Sequence, residues 1–573
     1  MSPKRLLQHF DQIAEASDAV PRLRRFILDL AVRGKLVEQN PADEPASEQL
    51  RRIEAEKKQL VKVNKILKEK PLSPIEEAEI PFDTPQNWSW TRLRNVASYI
   101  QRGKSPQYAG GEGRPVISQK CVQWDGLHLE WAKAITPESL ESYEAIRFLR
   151  DGDLLWNSTG TGTIGRVVRV GQSDEGLVCD SHVTVVRCLR VDERFICIWL
   201  RSDHVYGTIE ERAAGATNQV ELTAGIANNQ ITPIPPLPEQ HRIVAKVDEL
   251  MALCDELEAA QQKRERRRDR LVAAALNALN NGEVGPATGS HPTFEESARF
   301  YFKHLPRLTT RPEHIQQLRQ TILNLAVRGK LVPQDPKEEP VAALLERIDQ
   351  ERVITAKTDR RAEAGMQQLF AGDLCWGVPP TWGWRSLADL ALFIDYRGKT
   401  PSKTSSGIRL ITAKNVRRGF INLEPEEFIT KATYDSWMTR GLPQDGDILF
   451  STEAPMGNAA VVRLREKFGL AQRVINFRLY GGVDSDFLVL QLLSAPFQEI
   501  LDKTGTGLTA KGIKAAKLKR LPIAVPPLAE QHRIVAKVDE LLAISDDLES
   551  HLTSTATTRR QFLEATLSEA IAL

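Results

Sequence analysis

The stretch PPLPEQHRIVAKVDEL at residues 235–250 returns as PPLAEQHRIVAKVDEL at residues 526–541, with EQHRIVAKVDEL repeated letter for letter. Pro238 suits the first turn of a helix, where a missing N–H costs nothing. Beyond it Ile243, Val247, Leu250, Cys254 and Leu257 fall at spacings of 4, 3, 4 and 3, and Ile534, Val538, Leu541, Ser545 and Leu548 repeat the series. That is a heptad seam, and it predicts two long coiled-coil helices whose seam residues face a partner helix. A helix from Pro238 to about Ala275 would be on the order of 57 Å long at 1.5 Å per residue, enough to space two bodies apart.

Outward from these helices the duplication runs through the chain. LRRFILDLAVRGKLVEQNPADEP from Leu23 returns as LRQTILNLAVRGKLVPQDPKEEP from Leu318, an offset of 295 residues. NWSW ending at Trp90 matches WGW ending at Trp384, RGKSP from Arg102 matches RGKTP from Arg397, and DGDLL from Asp151 matches DGDIL from Asp445. A repeat of this length is one folding unit used twice. The flanks are nearly identical, whereas residues 107–229 and 402–519 share little beyond short framework motifs. A common scaffold therefore carries two different heads, and equal scaffolds imply a pseudo-twofold arrangement.

Within each unit Leu23, Phe26, Ile27 and Leu30, and Leu318, Ile322 and Leu325 in the second copy, have the spacing of a buried helix face. Arg33–Gly34 and Arg328–Gly329 suit its last turn and the left-handed residue after it. Charged helical sequence is expected to continue to about Lys70, followed by the proline-rich hinge PLSPIEEAEIPFDTPQ. The heads show strand-like runs at Pro115–Ile117, Asp153–Trp156, Arg166–Val170 and Val183–Leu189. The fold class is α+β, with two pseudo-twofold-related mixed α/β heads joined by long antiparallel coiled-coil helices. The expected division is a helical region at 1–79, a head at 80–235, a helix at 236–280, a linker at 281–310, a second helical region at 311–372, a head at 373–525 and a helix at 526–573.

With 573 residues the chain exceeds one core. Its 41% hydrophobic content with 27% charged residues and its lack of a long apolar run exclude a membrane-spanning helix. The opening MSPKRLLQHFDQIAEASDAV has no apolar segment of a secretory signal, so an intracellular, cytoplasmic location is expected. Cys121, Cys179, Cys188, Cys197, Cys254 and Cys375 form no CxxC pair and fit neither a disulfide framework nor a zinc site. A formal charge of +2 argues against a purely electrostatic nucleic-acid binder.

Apparent enzyme signatures do not survive their context. GTGTIG at 160–165 satisfies GxGxxG, but RVVRV after it reads as a strand and the second copy has APMGNA there, so a strand-turn-strand corner is expected. RGKSP and RGKTP lack the glycine of a phosphate loop, with Ser98 and Phe393 in its place. Asp180, Ser181 and His182 are adjacent, which points their side chains to alternate faces. No HExxH motif and no Asp-Pro-Pro or Asn-Pro-Pro followed by an aromatic residue is present.

Two copies of PPLxEQHRIV, each opening a heptad helix after a variable head, resemble the specificity subunit of type I restriction-modification systems, in the subgroup with an N-terminal helical extension. The likeness covers nearly the whole chain. It implies that each head is a target recognition domain reading one half of a split, asymmetric DNA site, and that the helices fix the gap and dock two methylation subunits. It further implies restriction/translocase subunits as partners, with S-adenosylmethionine and ATP/Mg bound on those partners and no cofactor bound by this chain. A non-catalytic subunit follows, directing adenine methylation or restriction by others. Half-sites about one helical turn, ~34 Å, apart fit paired modules. A protein-only scaffold and a catalytic DNA-modifying enzyme are the competing classes; divergent heads disfavour the first and absent motifs the second.

For contact with double-stranded DNA, Arg102, Lys104 and Ser105 with Arg397, Lys399 and Thr400 form a short cationic loop at equivalent points, suited to phosphate. The bland alternative is a capped turn whose arginine pairs with a local carboxylate. Base reading falls to polar clusters that differ between heads: Gln119, Lys120, Asn157, Thr159, Asn218 and Gln219 in the first, and Lys414, Asn415, Arg417, Thr452, Lys511 and Lys514 in the second. KRERRRDR at 263–270 reads as a solvated helix face. His241 and His532 are expected to cap or pack, and Trp88, Trp90, Trp382 and Trp384 to anchor the cores.

Overall fold

A computed structural model describes residues 18–63, 66, 72–111, 113–160, 162–207, 209, 221–282, 293–362, 365–367, 369, 376–396, 401–507 and 511–572. It contains two compact units, one built from Met1–Lys263 with Ala556–Leu573 and the other from Arg264–Thr555.

The first unit opens with α1 (Ala19–Val32), which buries Ala19, Val20, Ile27, Ala31 and Val32. Gly34 ends it at φ +69°, and a Cβ there would lie 2.6 Å from Pro85 Cγ, so both conformation and space require glycine. Helix does not continue unbroken to Lys70: α2 spans Ala46–Lys62, separated from α1 by a segment containing Pro41 and Pro45. The first head then follows.

Its strands are β1 (Ser89–Arg92), β2 (Ala97–Arg102), β3 (Arg114–Ile117), β4 (Lys133–Ile135), β5 (Leu154–Asn157), β6 (Val167–Arg169), β7 (Val178–Cys179), β8 (Val183–Cys188) and β9 (Ile231–Ile234). They form an antiparallel sheet β2-β8-β5-β6, a mixed sheet β4-β3-β7 and the pair β1-β9, which closes the head on itself. Helix α3 (Glu193–Arg201) supplies Phe195 and Trp199 to the core beside Trp156. The DGD motif acts as a corner: Asp153 caps the Arg150 amide at 2.9 Å and takes two bonds from Arg187, at 2.8 and 2.7 Å.

From Pro235–Pro236 the chain enters α4 (Leu237–Asn281), a helix of 45 residues. Ile243, Val247 and Cys254 of its seam are buried, with Leu250 and Leu257 at the margin, in the cluster that also holds Val20, Ile27, Ala31 and Val32 of α1 and Phe195 of α3. Arg24 of α1 bonds Asp255 at 2.5 Å and Glu258 at 3.1 Å alongside. The seam thus closes on the unit's own first helix.

The second unit repeats this construction. Residues 281–310, expected to be a linker, contain α5 (Phe294–Leu308), started by a reciprocal Thr293–Glu296 capping box and burying Tyr301 and Leu308. Then come α6 (Pro312–Ala326) and α7 (Val341–Thr358). The second head comprises β10 (Gly383–Ser386), β11 (Ala391–Asp395), β12 (Ile408–Ile411), β13 (Phe428–Ile429), β14 (Ile448–Ser451), β15 (Ala459–Val461), β16 (Phe468–Leu470), β17 (Val474–Leu479), α8 (Ser485–Leu493) and β18 (Pro522–Val525). Its sheets, β11-β17-β14-β15, β13-β12-β16 and β10-β18, have the order of the first head. Helix α9 (Leu528–Ala572) follows, with Ile534 and Val538 buried among Leu318, Ile322 and Ala326 of α6. Arg319 bonds Asp546 at 2.5 Å and Glu549 at 2.7 Å, in the manner of Arg24. Trp88 and Trp382 are buried and Trp90 and Trp384 half-buried, as core anchors.

Candidate nucleic-acid interface

Strand register brings the dissimilar loops of the first head to one end of its antiparallel sheet. Strand β2 ends at Arg102 opposite Thr184, β5 ends at Asn157 opposite Val183, and β6 starts at Val167 opposite Trp156. The connections after Arg102, between Asn157 and Val167, and before Val183 therefore share an edge. Gly103 lets the first pass close: its amide donates to Val183 O at 2.9 Å, and a Cβ would sit 2.1 Å from Asp180 O.

A chain of polar contacts links these loops. Arg102 Nε donates to Ser181 O at 2.8 Å, and the guanidinium pairs with Glu221. Ser105 Oγ donates to Ser181 Oγ at 3.0 Å. Thr159 Oγ1 donates to Gln119 Oε1 at 3.1 Å and lies 2.6 Å from His182 Nδ1. Lys104 Nζ donates to both oxygens of Ser142 at 3.0 Å, and Lys120 is exposed. The Asp180 carboxyl is pushed up by burial, against the opposing effect of the His182 amide, which donates to it at 2.9 Å. Asp180, Ser181 and His182 form no relay, since the imidazole meets Thr159 and the carboxylate meets the His182 amide and the Tyr108 hydroxyl.

In the second head β11 ends at Asp395 opposite Ile475, β14 ends at Ser451 opposite Val474, and β15 starts at Ala459 opposite Phe450. Lys414, Lys511 and Lys514 are exposed and Arg417 is half-exposed. Lys511 Nζ stands 3.6 Å from Asp502. Arg397, Lys399, Thr400, Asn218 and Gln219 lie outside the described residues.

Base contact is the sequence expectation for Asn157, Asn415 and Thr452, but all three are buried and committed to their own loops. Asn157 Nδ2 donates to the carbonyls of Gln119 at 2.9 Å and Thr163 at 3.1 Å. Asn415 Oδ1 accepts from Thr412 N at 2.9 Å, and its Nδ2 donates to Asn422 O at 3.0 Å and Pro425 O at 3.1 Å. Thr452 Oγ1 donates to Arg473 O at 3.2 Å. The bonds of Asn415 and Thr452 leave nothing to offer a ligand unless the loop rearranges, whereas Asn157 spends its Nδ2 on the loops and keeps a buried Oδ1 without a hydrogen-bond partner. Ser181, His182, Glu221 and Arg473 also line this edge and belong to no motif; His182 and Arg473 correspond through the strands that follow them, Val183–Cys188 and Val474–Leu479.

Gly160 and residues 162–165 of GTGTIG lie between β5 and β6, with Gly160, Gly162 and Gly165 all at positive φ and a strand after them. Among the described residues no group of three His, Cys, Asp or Glu could hold a metal. His241 and His532 neither cap nor pack: both are largely exposed, 3.8 and 3.5 Å from Asp192 and Asp484. Their neighbours do that work. Gln240 accepts from Asp192 N at 2.8 Å and Gln531 from Asp484 N at 2.8 Å, tying the start of each long helix to its head.

Comparison with known proteins matches residues 85–265 and 380–557 to the family described as "Type I restriction modification DNA specificity domain". The type I restriction enzyme EcoAI specificity subunit of Escherichia coli is 30% identical over 573 aligned residues, 96% of this chain and 94% of its own. The EcoEI specificity subunit of Escherichia coli is 30% identical with the same coverages. Among solved structures, the HsdS subunit from Thermoanaerobacter tengcongensis aligns with 86% of this chain and 98% of its own at 18% identity and a TM-score of 0.42.

Proposed function

The chain belongs to the type I restriction-modification DNA specificity family, and on that premise we propose that it selects the DNA sequence on which partner subunits act, without chemistry of its own. The head at 80–235 reads one half of a split, asymmetric site and the head at 373–525 reads the other. The two long helices set the gap and dock two methylation subunits that bind S-adenosylmethionine, and ATP/Mg serves the restriction/translocase subunits. The assembly works on double-stranded DNA in the cytoplasm; among the described residues no helix is long and apolar enough to cross a membrane.

One observation carries this reading. The same backbone frame ends both sheets and carries an exposed lysine in each, Lys120 and Lys414, yet beside it stand Gln119, Thr159 and His182 in one head and Arg417, Lys511 and Lys514 in the other. Equal frames with unequal donors and acceptors are what two different base sequences need. Phosphate positioning falls to Lys104 and Ser105 and to the matching Arg397, Lys399 and Thr400; Arg102 joins them only on leaving Glu221, the local carboxylate with which it pairs as the capped-turn alternative expects.

The test is selection from a randomised duplex library, at fixed salt because such affinities are salt-dependent, by this chain co-expressed with its methylation partner. A split, asymmetric motif with a constant gap is expected. Absence of any enrichment by an intact complex would count for the protein-only scaffold instead.

A further inference from the structure

His182 and Arg473 occupy one structural position in the two heads. Each directly precedes the central strand of its sheet, β8 or β17. The His182 carbonyl accepts from Ser158 N at 2.9 Å, and the Arg473 carbonyl accepts from Thr452 N at 2.9 Å. The next bond outward also matches, Leu222 N to Ser158 O at 2.8 Å and Ile513 N to Thr452 O at 3.0 Å. Both residues are exposed. The hydrogen-bonded frame is shared, whereas Arg473 takes a positive φ and His182 does not, and the side chain presented differs.

Arg473 adopts φ +77°, a left-handed conformation that a residue with a Cβ rarely takes and a glycine would take freely. Its guanidinium gains little locally: the side chain is 49% exposed and Nε stands 3.5 Å from Glu453 Oε2, a loose surface pair. Two bonds from Thr452 to the Arg473 carbonyl hold this backbone, while a side chain with so little local use points outward, to a partner that uses it.

Resting on the reading that each head recognises one half-site, we propose that this position is a base-reading position in both heads, with opposite hydrogen-bonding sense. The Arg473 fork donates to guanine O6 and N7. In the first head Thr159 Oγ1 has one proton to share between Gln119 Oε1 at 3.1 Å and His182 Nδ1 at 2.6 Å; with that proton on Gln119, the imidazole carries its own on Nδ1. A neutral imidazole protonated at Nδ1 has an acceptor at Nε2, which takes a proton from a base amino group, cytosine N4 or adenine N6.

The experiment compares motifs recovered from a randomised duplex library by the partner-bound wild-type complex and by Arg473→Gly and His182→Ala complexes. Glycine suits the left-handed backbone, so the frame should persist, which thermal unfolding verifies. Arg473→Gly should lose guanine preference at one position of one half-site, roughly 5- to 150-fold in discrimination, and leave the other half intact. His182→Ala should lose an amino-bearing base in the opposite half. A wild-type motif unchanged in both variants overturns the assignment and leaves the two-head reading standing. A uniform drop at all positions overturns it too, since that marks a phosphate contact. If the wild-type complex yields no motif, both readings fall.

Discussion

Glu239 and Glu530 show how much a single repeated residue holds. Each sits in the first turn of a long helix, 1% exposed, and accepts from the tryptophan at the mouth of its head: Trp88 Nε1 to Glu239 Oε1 at 3.1 Å, Trp382 Nε1 to Glu530 Oε1 at 3.0 Å. Gln39 and Gln334 complete the pairs at 2.6 and 2.7 Å. Burial pushes both carboxyls above the ordinary range, against those bonds. A carboxyl raised on folding binds more protons in the native state, so its contribution is present below the unfolded value and is lost as pH rises through the folded value. Glu239→Gln keeps the acceptor and removes the buried charge, so its melting temperature should exceed the wild type's at about pH 8 and converge with it near pH 4. Glu239→Ala strands two donors and should cost about 1–3 kcal/mol. A glutamine variant as unstable as the alanine variant at the higher pH would show that the charge itself is needed. The EQH motif was legible as a motif; which of its three residues turned inward was not, because the head that covers them is distant in sequence.

At the scale of elements, heptad spacing identified both long helices but said nothing of what lies against them. Periodicity records which face is apolar, and any apolar helix of suitable length can cover it. In the first unit α1 shares the cluster with the seam, and in the second α6 does. Ile243→Ala should therefore destabilise the chain by about 2–5 kcal/mol, since the residue is fully buried. Arg24→Ala removes ion pairs with Asp255 and Glu258, whose side chains are 70% and 47% exposed, and should cost about 1 kcal/mol. Denaturant unfolding of both variants measures the contrast; equal losses would mean that charge, not burial, fastens α1 to α4. Helix α5 escaped sequence reading because glycine, proline and threonine crowd residues 282–293 and Pro306 falls in its last turn, so loop signals outweighed an amphipathic stretch of 15 residues.

For the molecule as a whole, duplication sets two unlike heads on a constant frame. The β1-β9 and β10-β18 pairs close each head at its base, so a replacement spanning residues 87–235 brings its own closing pair and its own tryptophan, and meets the constant frame at Glu239 of α4. Exchange of that segment for another head of the family should change one half-site and leave the second half and the gap as they were. Motifs recovered before and after exchange measure this, and a change in both halves would refute independent heads.

The amino-acid sequence alone determined the two-copy organisation, the α+β class, the long helices, the division into constant frame and variable heads, and through its motifs the family. These are carried by local spacing or by comparison of the chain with itself. Tertiary structure alone decided which polar residues face outward. Asn157 and Asn415 look like base readers in sequence and are buried struts, while His182 and Arg473, ordinary residues before a strand, stand at the edge. That distinction depends on strand register and on loops more than twenty residues apart closing over one another, and no local pattern encodes it.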